Sequence, residues 1–132
     1  MPEMPDFSKS PPELVERFQA LTQNLVAESP DVERRQMFGY PALFASGHHA
    51  TGLFRTTWIV RLADADRAEL LLMPGAAPFE PVPGRSMGGY VVLPPSVVAD
   101  DEALVAWVDR AIAYGRSLPP KRPKPRAERK PR

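Results

Sequence analysis

The 132-residue sequence contains no cysteine and only two histidines. The absence of cysteine excludes disulfide scaffolds, cysteine-ligated zinc, iron–sulfur clusters and thiol catalysis. There is also no run of about 18 apolar residues, so the sequence predicts no membrane-spanning helix. The first six residues are acidic and no apolar stretch follows them, unlike a secretory signal peptide. We therefore expect a cytoplasmic protein that does not enter a membrane.

Charge is divided unevenly along the chain. Residues 119–132 hold seven basic residues against Glu128 alone, a net charge of +6, whereas the remainder carries −5. The basic residues are Lys121, Arg122, Lys124, Arg126, Arg129, Lys130 and Arg132. Because this segment has five prolines and no large apolar residue, it has little surface to bury. We expect a flexible N-terminal arm over residues 1–10, a folded domain over 11–118 and a disordered, basic, proline-rich tail over 119–132.

Amphipathic helices are predicted at both ends of this domain. Apolar residues spaced by three and four predict a helix that opens at Pro11 and is stopped at Ser29, with Ser10 as its N-cap in a capping box. Acidic residues around Asp101 favour the start of a second long helix, which Pro119 ends. A short helix is predicted from Asp64, with Leu71 in the core.

The segments between the helices have the composition of strands. Three β-rich runs, 37–45, 50–55 and 58–62, are separated by short polar breaks and predict an antiparallel meander. Residues 90–93 add a strand after a loop, 74–89, that contains four prolines and four glycines. This order of elements predicts an α+β fold: a single domain with an antiparallel sheet and helices packed on one face.

Four arginines are candidates for a partner or ligand surface: Arg35, Arg55, Arg61 and Arg85. Arg61 alternates with the apolar residues of its strand, so it points to the other face of the sheet. Arg35 and Arg55 are expected near it on that face. Arg85 lies in a glycine-rich segment that is a candidate anion site, although a phosphate loop follows a strand and opens a helix, whereas this segment precedes a strand. The alternatives are an ordinary sheet with one solvated face and a solvated Arg85.

No catalytic or metal-binding residues are predicted. His48 and His49 are expected at a turn or on the surface, because adjacent strand residues point to opposite faces and cannot easily ligate one ion. The pairs Asp64/Asp66 and Asp100/Asp101 stand at predicted helix starts, where capping accounts for them. No serine lies in a Gly-x-Ser-x-Gly context.

Several short motifs occur in an order and spacing that resemble a known family, the TfoX N-terminal domain-like proteins. They are RRQMFGY at 34–40, WIVRL at 58–62, the proline-glycine stretch at 74–81, GRSM at 84–87, YVVLP at 90–94, DEAL at 101–104 with Trp107, and LPPK at 118–121. The resemblance covers roughly residues 11–121. It implies a compact α+β fold of the kind shared with YjbR-like proteins, no cofactor, and no catalytic residues to carry over.

We therefore expect a small non-enzymatic module with a protein-interaction or regulatory accessory role, whose partner is another protein. Two alternatives stay open. The basic tail suits weak, non-specific association with nucleic acid. The open face of the sheet suits a small ligand if a polar pocket converges on its arginines, whereas a flat surface counts against that idea.

Removing the tail tests the nucleic-acid alternative. If the tail contacts phosphates, the full chain binds a fluorescent DNA or RNA at low salt and a 1–118 truncation does not. Counterion release predicts that such binding is lost by about 150 mM salt. Fluorescence polarisation measures both effects, and equal binding by the truncated chain would eliminate the tail as a nucleic-acid contact.

Overall fold

The computed structural model describes residues 10–37, 39–82, 84–85 and 87–119. Its helices are α1 (Pro12–Glu28), α2 (Asp64–Leu71), α3 (Pro95–Val98) and α4 (Asp101–Ser117). Its strands are β1 (Val32–Met37), β2 (Tyr40–Ala45), β3 (His48–Phe54), β4 (Thr57–Arg61), β5 (Ala77–Pro78) and β6 (Tyr90–Val92). They form one antiparallel sheet in the order β1-β2-β3-β4-β6-β5, which confirms the predicted α+β fold. The tail cations from Lys121 to Arg132 lie outside the described residues.

The observed meander has one more strand than the sequence predicted. The run predicted at 37–45 is divided, with Met37 opposite Tyr40 across a tight turn and a new strand, β1, before it. Most side chains of β1 are exposed and four of its six residues are polar or charged, so it lacks the apolar pattern of a strand. Charged residues are typical of an edge strand, because they discourage pairing with another chain. The four-residue helix α3 was also not predicted.

Helix ends and packing differ from the prediction at two places. Helix α1 begins after Pro11 without a side-chain cap, so the capping box predicted at Ser10 is wrong; the buried Ser10 hydroxyl has no hydrogen-bond partner among the described residues. In α2 the buried residue is Leu70, whereas Leu71 is 39% exposed. Helix α4 has the acidic start that was predicted, and its N-cap Asp100 accepts hydrogen bonds from the two backbone N–H groups that follow Asp101.

Helices α1 and α4 cover one face of the sheet, the helix-covered face. The rings of Phe18 and Trp58 are 5.0 Å apart at their centroids, and both side chains are fully buried. The buried indole N–H donates to Thr51 Oγ1 at 2.9 Å, and that hydroxyl donates to the carbonyl of Ile59 at 2.7 Å. The polar atoms of this core are therefore paired, which avoids the cost of burying an unsatisfied donor.

Four ion pairs connect α4 and its neighbours. They are Arg17–Asp101 between α1 and α4, Arg110–Asp66 and Arg110–Glu69 between α4 and α2, and Arg116–Asp31 between α4 and the turn before β1. Pairs exposed to this degree contribute little to the free energy of folding. Buried apolar surface is the main source of stability.

Truncating Trp107 tests the placement of α4. This side chain is 7% exposed, and the Arg110 guanidinium carbon lies 4.3 Å from its ring centroid. Trp107→Ala is expected to lower the free energy of unfolding by about 3–5 kcal/mol, through lost burial and the cavity left behind. Leu72→Ala is the control, because Leu72 is 85% exposed; its effect should stay within about 0.5 kcal/mol. Urea unfolding measures both, and a loss of under about 1 kcal/mol for Trp107→Ala would contradict this placement.

Candidate functional site: the aromatic face of the sheet

The side of the sheet opposite α1 and α4 carries five of the nine Phe, Trp and Tyr residues in the described ranges, and we call it the aromatic face. Residues paired across neighbouring strands point to the same side of a sheet. The register pairs Arg35 with Ala42, Ala42 with Gly52, and Gly52 with Ile59. Arg61 follows Ile59 by two residues along β4, so Arg35 and Arg61 share this face, as expected from the sequence.

A bulge between β2 and β3 places His49 on the aromatic face. The register changes from Leu43 opposite Thr51 to Phe44 opposite His49, so two steps along β3 match one step along β2. Simple alternation would put His49 on the same side as Thr51, which is the helix-covered face. The extra residue reverses this, as bulges do, and His49 lies beside Phe44 instead.

The rings on this face form a continuous series of contacts. Centroid distances are 5.3 Å for Phe44–His49, 5.3 Å for His49–Tyr90, 6.2 Å for Tyr90–Phe79, 5.1 Å for Phe79–Phe54 and 5.2 Å for Phe54–Tyr40. These separations are those of favourable edge and tilted aromatic pairs. The sheet beneath them is built of small residues, including the fully buried Ala42. The expectation of an ordinary solvated face is therefore wrong over the central strands.

Gly52 makes room for the imidazole of His49. A Cβ atom at Gly52 would lie 2.9 Å from the carbonyl oxygen of Pro41 and 3.2 Å from Nε2 of His49. The first distance is too short for any side chain, because the obstacle is backbone. The histidine ring can therefore lie against the strand only because this position is glycine.

His49 is buried, so the expectation that both histidines lie at a turn or on the surface is wrong for this one. It is 7% exposed, and its Nδ1 is joined to the Tyr90 hydroxyl by a hydrogen bond of 3.0 Å. Burial, and then the positive charge of Arg61, lower the pKa of His49 to about 4. Burial also raises the pKa of Tyr90. Both groups are thus neutral at pH 7.

Arg61 lies at the end of this series of rings. Its guanidinium carbon is 5.9 Å from the ring centroid of Tyr90 and 5.9 Å from that of Tyr114 in α4. These distances fall within the range of a cation–π contact. Among the described residues, no carboxylate forms an ion pair with Arg61.

The other three candidate arginines occupy separate places. Arg35 is exposed, pairs with Glu33 at 2.8 Å and lies 5.1 Å from the Phe44 ring. It is three strands away from Arg61, or about 14 Å at ordinary strand spacing. Arg55 lies in the turn between β3 and β4 with a left-handed backbone, and Arg85 is exposed in the loop before β6. The four arginines therefore do not converge on one pocket within the described residues.

An apolar groove lies at the other end of β4, and we call it the end groove. Its volume is about 500 Å³. Its lining includes Leu14, Trp58, Leu93, Pro95 and Val98, together with Arg17 and Thr57. The groove could not be predicted from the sequence, because its walls come from α1, α3, β4 and β6, which are far apart along the chain.

Within the described ranges, no three side chains of the histidine, aspartate or glutamate type are grouped so as to hold a metal ion. None of the helices in these ranges has both the length and the apolar character required to cross a bilayer.

These features define a small α+β domain whose helices pack on one face of a single antiparallel sheet. The family model of the TfoX N-terminal domain matches residues 24–114, from the last turns of α1 to α4. The chain belongs to this family. Comparison with curated proteins and with solved structures gave no match.

The titration of His49 should appear in the pH dependence of stability. Between pH 6.5 and about 4 the unfolded imidazole binds a proton that the folded one does not. Lowering the pH through this window therefore lowers the free energy of unfolding, by about 3 kcal/mol in total at 1.36 kcal/mol per pKa unit. Urea unfolding at several pH values measures this, and His49→Gln should reduce the slope.

His48→Gln is the matched control, because it removes the neighbouring imidazole and leaves the buried one in place. This variant should keep the loss of stability on acidification that His49 causes. Proton NMR of the His49 ring gives a direct check, and an inflection near pH 6.5 would contradict the buried position.

Proposed function

We propose that this domain is a non-enzymatic, cytoplasmic protein-interaction module with a regulatory accessory role, and that it binds an apolar segment of its partner protein in the end groove. The observation that carries the proposal is the open apolar cavity of about 500 Å³ in so small a domain. A volume of this order is typical of sites that take several apolar groups of a ligand.

The chemistry of the lining supports an apolar occupant. Arg17, the cation in the lining, already donates to the carbonyl of Val98 at 2.9 and 2.6 Å and to Asp101 at 2.6 Å. Thr57 donates its hydroxyl proton to the carbonyl of Phe54 at 2.7 Å. Because these polar groups are used within the domain, they do not offer a polar substrate the directed contacts that catalysis requires.

The position of the groove supports recognition of a protein segment. It lies beside the first turn of α1 and the short helix α3, which contribute Leu14 and Val98 to its walls. Recognition of this kind uses a few apolar anchor side chains inserted into a groove. Binding of such anchors is driven by removal of apolar surface from water.

Replacing Leu14 by glutamate tests the proposal. Leu14→Glu places a charge in the groove, yet an acidic residue in the first turn of a helix agrees with its dipole, so α1 should still form. Full-length chain is used to retain partners from a cell extract, and quantitative mass spectrometry compares the variants. We expect the partner to be retained by the unmodified chain and lost with Leu14→Glu.

Leu72→Glu is the matched control, because it makes the same substitution at an exposed leucine outside the groove. It should retain the partner. Thermal unfolding confirms that both variants are folded. Equal retention by Leu14→Glu and the unmodified chain, or equal loss with both variants, would refute the end groove as the binding surface.

A further inference from the structure

Arg61 carries a charge for which the described part of the chain supplies no counter-ion. It is partly buried, whereas Arg17, Arg35, Arg110 and Arg116 all pair with carboxylates. A buried or half-buried charge is costly unless it is paired. Cation–π contacts with two rings recover a part of that cost.

The N–H groups of Arg61 are not engaged within the described residues, where this side chain forms neither a hydrogen bond nor an ion pair. Its contacts there are the cation–π contacts of its guanidinium carbon with the rings of Tyr90 and Tyr114. The N–H groups lie in the plane of the guanidinium, at its edge. A carboxylate or a phosphate binds that edge through two parallel hydrogen bonds.

A second guanidinium lies beside the same space. A Cβ atom at Gly89 would be 4.0 Å from Nε of Arg61 and 3.9 Å from Nη1 of Arg67. Gly89 has φ +90°, a conformation that excludes most side chains, so no Cβ atom lies beside the two guanidinium groups. Arg67 is held in place by Asp64 and by the carbonyl of Leu62. Two positive groups therefore border the space, and only one of them is neutralised.

We propose that Arg61 anchors a site for the oxyanion group, carboxylate or phosphate, of a small molecule at the end of β4, where its guanidinium contacts Tyr90 of β6 and Tyr114 of α4. The groups around it fit this ligand. His49 and Tyr90 are neutral and bring no competing negative charge. The net charge of −5 on the chain before residue 119 disfavours a polyanion such as nucleic acid, so the ligand is small.

Residue-resolved NMR on the ¹⁵N-labelled full chain tests the site. Inorganic phosphate and acetate are titrated separately at constant ionic strength, and the Arg61 Nε–H and the amides of Gly89 and Tyr90 are followed. We expect saturable shifts confined to this region with at least one of the two anions. Saturation with phosphate alone, or with acetate alone, identifies the oxyanion that the site prefers. No saturable shift with either anion would overturn the proposal.

Arg61→Gln should weaken binding about tenfold or more, because it removes the charged, two-pronged donor. Arg35→Gln is the matched control on the same face and should leave binding unchanged. Arg61→Lys keeps the charge but lacks the two parallel N–H donors, so it should bind with intermediate strength. This result would distinguish loss of the binding site from loss of folding. Equal binding by Arg61→Gln and the unmodified chain would also overturn the proposal.

The His49 ring supplies an independent readout. The charge of Arg61 is one cause of its lowered pKa. An oxyanion bound to Arg61 offsets this charge, so the inflection of the His49 proton signals should move to higher pH when the ligand is present. An unchanged inflection at saturating ligand would show that the anion binds elsewhere.

Discussion

The central strand β3 is buried on both faces, and the rest of the structure follows from the need to cover both. From His49 to Phe54 every residue is buried. On one side the cover comes from α1 and α4, with Trp58 hydrogen-bonded to Thr51 at its centre. On the other side, within the described residues, the central strands are covered by aromatic rings of the sheet together with Phe79 from the loop after β5. This second layer is possible only because the strands beneath carry small residues, above all Gly52, where backbone approaches too closely for any Cβ atom.

The aromatic layer determines the electrostatics of the candidate site. The bulge turns His49 into this layer, where burial keeps it neutral, and the ring then separates Phe44 from Tyr90. Arg61 marks the place where the layer ends and solvent begins. A positive charge at such a boundary is only partly hydrated, so the free energy of binding an anion is more favourable there than at a fully exposed arginine. Arg35, on the same face but exposed and paired with Glu33, lacks this advantage.

Sequence patterns predicted the elements whose periodicity reflects burial on one side. The apolar stripe of α1, the acidic start of α4 and the alternation of Trp58, Val60 and Leu62 were interpreted correctly for this reason. The polar edge strand β1 was missed because its side chains have no face to bury. The position of His49 depends on one extra residue in β3, and alternation cannot detect a bulge before the pairing of strands is known. The only signal was Gly52, a glycine inside an otherwise regular β-rich run.

The end groove and the Arg61 site lie at opposite ends of β4. Thr57 belongs to the first and Arg61 to the second, about 13 Å apart along the strand. The two sites also differ in chemistry. The end groove is apolar and its polar groups are already hydrogen-bonded, whereas the Arg61 site is cationic and the N–H groups of its guanidinium have no partner among the described residues. The two ends are nevertheless joined by one rigid element, because β4 is hydrogen-bonded on both sides, to β3 and to β6. A small anion that ordered the β6 end around Tyr90 would act on the same strand pair that forms a wall of the groove. Coupling between the sites would therefore require a change in β4 or β6 that both ligands favour, and a rigid sheet with a single arrangement would keep the sites independent.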